Sequence, residues 1–172
     1  MNKLLRTLAP AVATAAALTV LGGATASAAP GALPILGPNG YKSLKLNQTE
    51  AQAAATGLLT DKQRMGSCTT YRFVASEGTG SEYGDVVIGL NGKVHSISAT
   101  SRMLTREGAW NNMHLDDVKA IYPELVRDPR PALYRAPVPG NRAAIYVFTV
   151  NNDQGIATDI SLQKDEDPGC GA

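Results

Sequence analysis

The chain has 172 residues, of which 44% are hydrophobic and only 5% aromatic, and its formal net charge is +1. This balance of charges excludes a polybasic nucleic-acid-binding protein and an acidic disordered tail. The 17 glycines and 10 prolines are too few and too scattered for collagen or a low-complexity linker. The composition therefore predicts one small, mostly β globular unit.

The first 28 residues are organised like a secretory signal peptide. Lys3 and Arg6 give a positively charged start, an apolar stretch follows at residues 8–21, and small residues occupy 26–28. We therefore expect cleavage after residue 28. The apolar stretch is shorter than the ~20 residues that a membrane span needs. The prediction is a secreted, extracellular protein without a membrane anchor after cleavage.

Two cysteines, Cys68 and Cys170, are the only ones in the chain. In an exported protein they predict one disulfide bond, which closes a loop of about 100 residues. A nucleophilic cysteine beside a histidine is the alternative interpretation. Export to an oxidising space and the position of Cys170 near the chain end favour the structural role.

Residues 29–40 follow the predicted cleavage site and are rich in proline and glycine. This composition predicts an N-terminal arm without a regular secondary-structure element of its own. Residues 41–172 then predict a single domain made of two repeats, at 41–100 and 105–162, with a C-terminal tail.

A pair of similar helix starts defines the two repeats. Asn47 aligns with Asn112, and each leads into a short helix after a residue type that tolerates positive φ. In the first repeat Thr49 and Gln52 have the spacing of a capping box. In the second, His114 occupies the cap position, where it is a poorer choice.

Each predicted helix is followed by three strand-like segments. They lie at residues 68–75, 86–90 and 93–99 in the first repeat, and at 132–136, 143–150 and 156–162 in the second. Asn91-Gly92 is the strongest short signal for a tight hairpin. The prediction is an α+β fold in which tandem duplicated helix–three-strand units form one antiparallel sheet of about six strands with two short helices on one face.

The second face of this predicted sheet can be covered in two ways. Residues 156–162 alternate between apolar and polar side chains, whereas residues 143–150 are apolar on both faces. Either the proline-rich arm folds over the second face, or an apolar surface is left there for a partner.

The run Leu-Lys-Leu-Asn-Gln-Thr-Glu-Ala-Gln-Ala at residues 44–53, followed by a glycine near Cys68 and then by a sheet, resembles the β-lactamase-inhibitory protein family. It is also similar to the outer-membrane-assembly lipoprotein domains that share this helix–sheet design. In those families a glycine stands where this chain has Asn47 and Asn112. The resemblance implies a helix–sheet repeat fold and a non-enzymatic protein that inhibits an extracellular enzyme such as a β-lactamase or a protease.

Residues with catalytic potential are sparse. The chain has two histidines, His95 and His114, and lacks the spacing of a zinc or haem ligand set. We therefore predict no metal and no cofactor. His95 lies beside Ser96 and Ser98, which leaves a spatial Ser–His–carboxylate triad as an open alternative. A lone strand histidine is more typical of a half-exposed side chain, and the prediction is that the protein is not an enzyme.

Three classes of function follow from these observations. The preferred one is a secreted binding or inhibitory protein whose partner is another extracellular protein. The alternatives are a structural envelope or matrix component and a small secreted hydrolase. Arginines scattered over residues 127–142 are more typical of a solvated rim than of a nucleic-acid groove, so we predict no nucleic-acid partner.

The predicted contact surface is the loop at residues 77–84. Its three glycines let the backbone reach into a cleft. At its tip Glu82 and Tyr83 offer a carboxylate beside an aromatic ring, and Tyr71 and Phe73 on the preceding strand extend the patch onto the sheet. The alternative is that the tip is merely solvated and that the two strand aromatics belong to the core.

Overall fold

The computed structural model describes residues 33–81 and 84–170. The predicted signal peptide and the start of the predicted arm lie outside these ranges, as do Glu82 and Tyr83. The described residues belong to one compact unit. Its helices are α1 (Glu50–Ala54) and α2 (Leu115–Ile121). The strands are β1 (Ile35–Gly37), β2 (Gly40–Tyr41), β3 (Leu44–Lys45), β4 (Leu59–Met65), β5 (Cys68–Phe73), β6 (Val86–Ile88), β7 (Val94–Ser98), β8 (Leu104–Thr105), β9 (Met113–His114), β10 (Val126–Arg127), β11 (Leu133–Val138), β12 (Asn141–Asn151) and β13 (Ile156–Lys164).

Most of the strands form one antiparallel sheet of nine strands, the large sheet. Its order is β10-β11-β12-β13-β7-β6-β5-β4, and β9 pairs with β13 beside β7. The antiparallel sheet is confirmed, but the predicted number of about six strands is too small. The missed edge strands β4 and β10 are almost wholly exposed, so their sequences carry no apolar alternation that could reveal them.

The predicted N-terminal arm contains strands, contrary to the expectation of no regular element. A second sheet of four strands, the small sheet, has the order β3-β2-β1-β8. In it β1 pairs in parallel with β8, matching Ile35 with Leu104 and Leu36 with Thr105. The arm becomes a strand because distant residues complete its hydrogen bonds, which a local pattern of prolines and glycines cannot reveal.

One hydrophobic core lies between the large sheet, the small sheet and the helices. The core side of the large sheet, its inner face, carries one row of paired residues: Tyr146 opposite Leu162, Leu162 opposite Ile97, and Ile97 opposite Val86. The same core cluster contains Leu36 of β1, Ala53 of α1 and Val118 of α2. The helices and the small sheet therefore pack on the inner face, and residues 33–40 of the predicted arm do not cover the opposite, outer face.

Aromatic contacts tie the small sheet and α2 to the large sheet. The rings of Tyr41 and Phe73 meet edge to face with 5.5 Å between centroids. The Tyr122 ring after α2 lies 5.4 Å from that of Phe148 on β12. The Tyr146 hydroxyl donates a hydrogen bond of 3.0 Å to the carbonyl of Leu36. These contacts hold both layers in register on the same face.

The two helix starts are built differently at their caps. Thr49 and Gln52 form the predicted capping box at α1. The His114 side chain makes no cap hydrogen bond at α2, as its poorer capping chemistry predicts. Asn47 and Asn112 both adopt positive φ, at 67° and 71°, which asparagine tolerates better than most residues.

A tandem unit of one helix and three strands is not evident. Each helix is followed instead by four strands that pair in chain order, β4 to β7 and β10 to β13.

Among the described residues no helix is long and apolar enough to cross a membrane. The predicted disulfide bond between Cys68 and Cys170 is confirmed, with 5.0 Å between the two Cα atoms.

Candidate functional site

The outer face of the large sheet carries an open cavity of about 520 Å³, which we call the trough. Its floor is one row of residues paired across four strands: Ile145 opposite Gln163, Gln163 opposite Ser96, and Ser96 opposite Val87. The row has an aliphatic side chain at each end and two hydrogen-bonding side chains between them. A cavity of this size and mixed lining is typical of a ligand or peptide site.

The C-terminal tail, residues 165–170, forms one wall of the trough. After β13 the tail runs to the start of β5, where the disulfide bond fixes Cys170 to Cys68. On the way the carbonyl of Pro168 accepts a hydrogen bond of 2.9 Å from the Leu90 N–H. The disulfide bond therefore builds the wall of the trough in addition to closing a loop.

His95 enters the trough because of a β-bulge. Val87 pairs with Ser96, but Ile88 pairs with Val94, so His95 is an extra residue on its strand. Both His95 and Ser96 consequently line the trough. Burial, reinforced by the positive charge of Lys164, lowers the pKa of His95. Its ring is therefore uncharged at neutral pH and can both donate and accept a hydrogen bond.

Three of the charged side chains at the trough, Arg130, Lys164 and Glu166, belong to internal ion pairs. The Arg130 guanidinium donates to both carboxylate oxygens of Asp128, at 2.9 and 3.1 Å. The hydrogen bonds from Arg130 lower the pKa of Asp128 to about 2. Lys164 forms an ion pair with Glu166. These pairs satisfy their charges without a ligand.

Two further charges at the trough have no such partner. Neither Arg135 on β11 nor the carboxylate of Asp165 makes a hydrogen bond or an ion pair within the described ranges, although Arg135 lies close enough to Asp128 to lower its pKa. Both side chains are exposed. The trough is therefore flanked by one cationic and one anionic group that are free to meet a ligand.

A pair of carboxylates lies further along the outer face. Asp159 is two residues before Ser161 on β13, on the same side of the strand, and its buried Oδ1 has no hydrogen-bond partner among the described residues. Asp85 is 2% exposed. Its Oδ2 accepts a 2.6 Å hydrogen bond from the Phe73 N–H, while its Oδ1 likewise has no partner within the described ranges. Burial, and then the negative charge of Asp85, raise the pKa of Asp159 to about 6.

The sequence-predicted aromatic residues lie in the core. Tyr71 is 8% exposed and its hydroxyl donates 2.6 Å to the Glu50 carboxylate, while Phe73 is 4% exposed and packs on Tyr41. Neither ring reaches the outer face, so they do not extend a contact patch there. Glu82 and Tyr83 lie outside the described residues, and the predicted role of that tip stays a prediction.

The sequence contained one signal for the trough, the same signal that predicts a surface left for a partner as one of two alternatives for the second face. Residues 143–150 are apolar on both faces of their strand, and Ile145 from this segment forms part of the floor. Arg135, Gln163 and His95 carry no comparable signal, because only the pairing of distant strands brings them together. The involvement of Cys170 in the wall was likewise missed.

Within the described ranges no three side chains of His, Cys, Asp or Glu gather into a metal-binding group. Comparison of the chain with protein-family models, with curated proteins and with solved structures returned no match.

Proposed function

We propose that this protein is a secreted, non-enzymatic binding protein whose contact surface is the outer face of the large sheet, centred on the trough. One observation carries the proposal. Helices and small sheet all pack on the inner face, and the outer face retains a cavity of about 520 Å³ with a mixed floor. A rigid sheet that presents such a floor needs little ordering on association, which favours binding.

The floor supplies both affinity and orientation. Val87 and Ile145 are only partly buried, so a partner that covers them gains the remaining part of the about 1.5–3 kcal/mol that full burial of an aliphatic side chain contributes. Ser96, His95 and Gln163 between them offer uncharged donors and acceptors, which fix the position of a partner's polar groups.

The resemblance to the inhibitory proteins supports a more specific role, inhibition of an extracellular enzyme such as a β-lactamase or a protease. A non-enzymatic role is also favoured by the site itself. Among the described residues, His95 makes no hydrogen bond with Ser96 or with a carboxylate, as a nucleophile–base pair would. Its role as a hydrogen-bonding floor residue accounts for its position.

A tandem duplication is part of the same proposal. Equivalent backbone hydrogen bonds hold the two helix starts against the two hairpins before the central strands. They are Asn47 N–H to Val94 carbonyl at 2.9 Å, Glu50 N–H to Gly92 carbonyl at 3.0 Å, Asn112 N–H to Ala157 carbonyl at 2.7 Å, and Leu115 N–H to Gly155 carbonyl at 2.8 Å. The last strands of the two four-strand runs, β7 and β13, pair with each other at the centre.

The test uses the disulfide-bonded chain beginning at residue 29. It is assayed for inhibition of a panel of secreted β-lactamases and proteases, and for capture of proteins from bacterial culture supernatants. Ile145→Asp places a charge on the floor and should weaken any interaction found by at least about 2 kcal/mol. Leu33→Asp, at a residue that is 49% exposed and does not line the trough, is the matched control.

Binding that Ile145→Asp leaves unchanged, while its thermal unfolding matches that of wild type, would refute the outer face as the contact surface. Failure of every enzyme and supernatant to interact with the wild-type protein would refute the binding function itself. Retention of the protein in the cell-wall fraction would then favour the envelope role.

A further inference from the structure

We propose that the trough binds an extended peptide segment that carries an acidic and a basic side chain on the same face, the acidic one seated on Arg135 and the basic one on Asp165. This inference rests on the proposed binding function and names the chemistry of its ligand. It follows from the charges that are left unpaired at the trough and from the neutral character of its floor.

The two proposed anchors, Arg135 and Asp165, are distinguished from the other charged residues at the trough by their lack of a side-chain hydrogen bond or ion pair within the described ranges. Arg130 and Lys164 line the same cavity, but each already holds a carboxylate, Asp128 and Glu166 respectively. Arg135 has no ion-pair partner in the part of the chain that the structure describes. A ligand carboxylate can therefore pair with Arg135 without breaking an existing ion pair, and pairing with a guanidinium fork adds directional hydrogen bonds.

Asp165 on the tail is the anionic anchor of the proposed site. Its backbone N–H donates 3.2 Å to the Ala143 carbonyl, which fixes the residue beside β12, while its side chain remains exposed and unpaired within the described ranges. Glu166 and Asp167 follow it and are also exposed. This acidic wall attracts a lysine or arginine of the ligand and repels a polyanion, which disfavours nucleic acid and phosphorylated ligands.

The neutral floor between the two anchors fits a peptide backbone. The half-buried Gln163 amide can exchange hydrogen bonds with amide groups, and Ser96 and the uncharged ring of His95, each 5% exposed, add a smaller polar surface beside it. Val87 and Ile145 lie at the two ends of this row and accept apolar side chains. A compact, highly charged ligand would lose its hydration on such a floor, and the neutral polar and aliphatic groups would not compensate most of its charge.

The spacing of the anchors matches an extended chain. Arg135 on β11 lies in the same row as Val147 and Ser161, and Asp165 follows Ser161 by four residues. The two anchors are therefore separated by about 10 Å across the strands and about 13 Å along them. In an extended peptide, side chains on one face repeat every ~6.6 Å. An acidic and a basic residue four positions apart can therefore meet Arg135 and Asp165 together once the reach of the arginine side chain is added.

The probes for the test are fluorescein-labelled nine-residue peptide pools with blocked ends. One pool carries a Glu and a Lys four positions apart in either order, and a second pool has Gln at both positions. Fluorescence polarisation against the disulfide-bonded protein should show the charged pool binding at least about tenfold more tightly than the neutral pool. The difference should shrink as salt is raised, because the anchors are exposed.

The variants assign this preference to residues. Arg135→Glu and Asp165→Lys should each reduce binding of the charged pool by about tenfold or more. Arg142→Glu and Asp153→Lys change equivalent exposed charges that do not line the trough, so they should have little effect. Reduction of the disulfide bond, which frees the tail, should remove the contribution of Asp165, provided that circular dichroism shows the sheet intact.

Equal binding of the charged and neutral pools, or an Arg135→Glu variant that binds like wild type, would overturn the proposal. Failure here is distinguishable from failure of the proposed function. If Ile145→Asp abolishes capture of a protein partner while both charge variants leave it unchanged, the outer face remains the contact surface and only the peptide chemistry is wrong.

Discussion

Replacing Asp159 by asparagine should stabilise the protein at neutral pH. The Oδ1 atom of this carboxylate is buried without a hydrogen-bond partner in the described ranges. The Ile160 N–H lowers its pKa, but burial and the charge of Asp85 raise the value further, from 3.8 to about 6. An uncharged amide of nearly the same shape removes both unfavourable effects and can still accept from that N–H.

The size of the effect follows from the shift. A change in pKa from 3.8 to about 6, at 1.36 kcal/mol per unit, corresponds to about 3 kcal/mol. The native protein holds a proton that the unfolded chain has already lost in this window, so this group makes stability fall as pH rises from about 4 to about 6. Above about pH 6 the full free-energy cost of the ionised Asp159 carboxylate is present, and below about pH 4 this cost is absent. We expect Asp159→Asn to recover about 1–3 kcal/mol at pH 7.5.

The assay is urea denaturation of wild type and variant at pH 4, 5, 6 and 7.5. The difference in unfolding free energy should be close to zero at pH 4 and should grow through pH 6. Taking the difference removes the contribution of other titrating groups. Asp153→Asn, at an exposed position in the turn of the same hairpin, is the control and should change little. A difference that does not depend on pH, or a variant less stable than wild type at pH 7.5, would refute the reasoning.

Three further predictions concern stability. Replacing Cys68 and Cys170 by serine should lower the unfolding free energy by about 4–5 kcal/mol, because the bond joins residues 102 positions apart; intact-mass analysis should find no free thiols in wild type. Asn47→Ala and Asn112→Ala should each cost about 1 kcal/mol in thermal unfolding, whereas glycine should be nearly neutral, since both positions have positive φ. Glu77→Gln should cost about 1–3 kcal/mol, because this buried carboxylate accepts from a lysine and a tyrosine. These bonds outweigh burial and lower its pKa, so the loss should vanish at acid pH, where wild-type Glu77 is protonated as well.

Local signals in the sequence were sufficient for several parts of the fold. The capping box of Thr49 and Gln52 forms, and Asn91-Gly92 lies in the connection between β6 and β7, with Gly92 at a φ of 71°. Such features depend on interactions within a few residues. The strand β4 was missed for the opposite reason, because its exposed polar side chains give no alternation and its pairing partner alone makes it a strand.

The candidate site was less accessible to prediction than the fold. The sequence-based prediction fell on the loop at residues 77–84 because that loop combines glycine, a carboxylate and an aromatic ring. The trough combines residues 163–170 of β13 and the tail with side chains of β6, β7, β11 and β12. Local sequence does not show which of these distant strands lie beside the tail. The bulge that turns His95 toward the trough depends on the register between two strands and leaves no mark in composition.

By itself the sequence determined the cysteine pair, the helix starts, the tight turns and the antiparallel strands in its apolar segments. Each follows from the chemistry of a residue type or from contacts between near neighbours, which are the same in any fold that contains them. Only the tertiary structure decided that the predicted arm would join the small sheet, that all covering layers would share one face, and that the tail would wall a trough on the other. Those outcomes depend on strand register and on the burial of charges such as Asp85 and Asp159, which arise when distant segments pack together and exclude water.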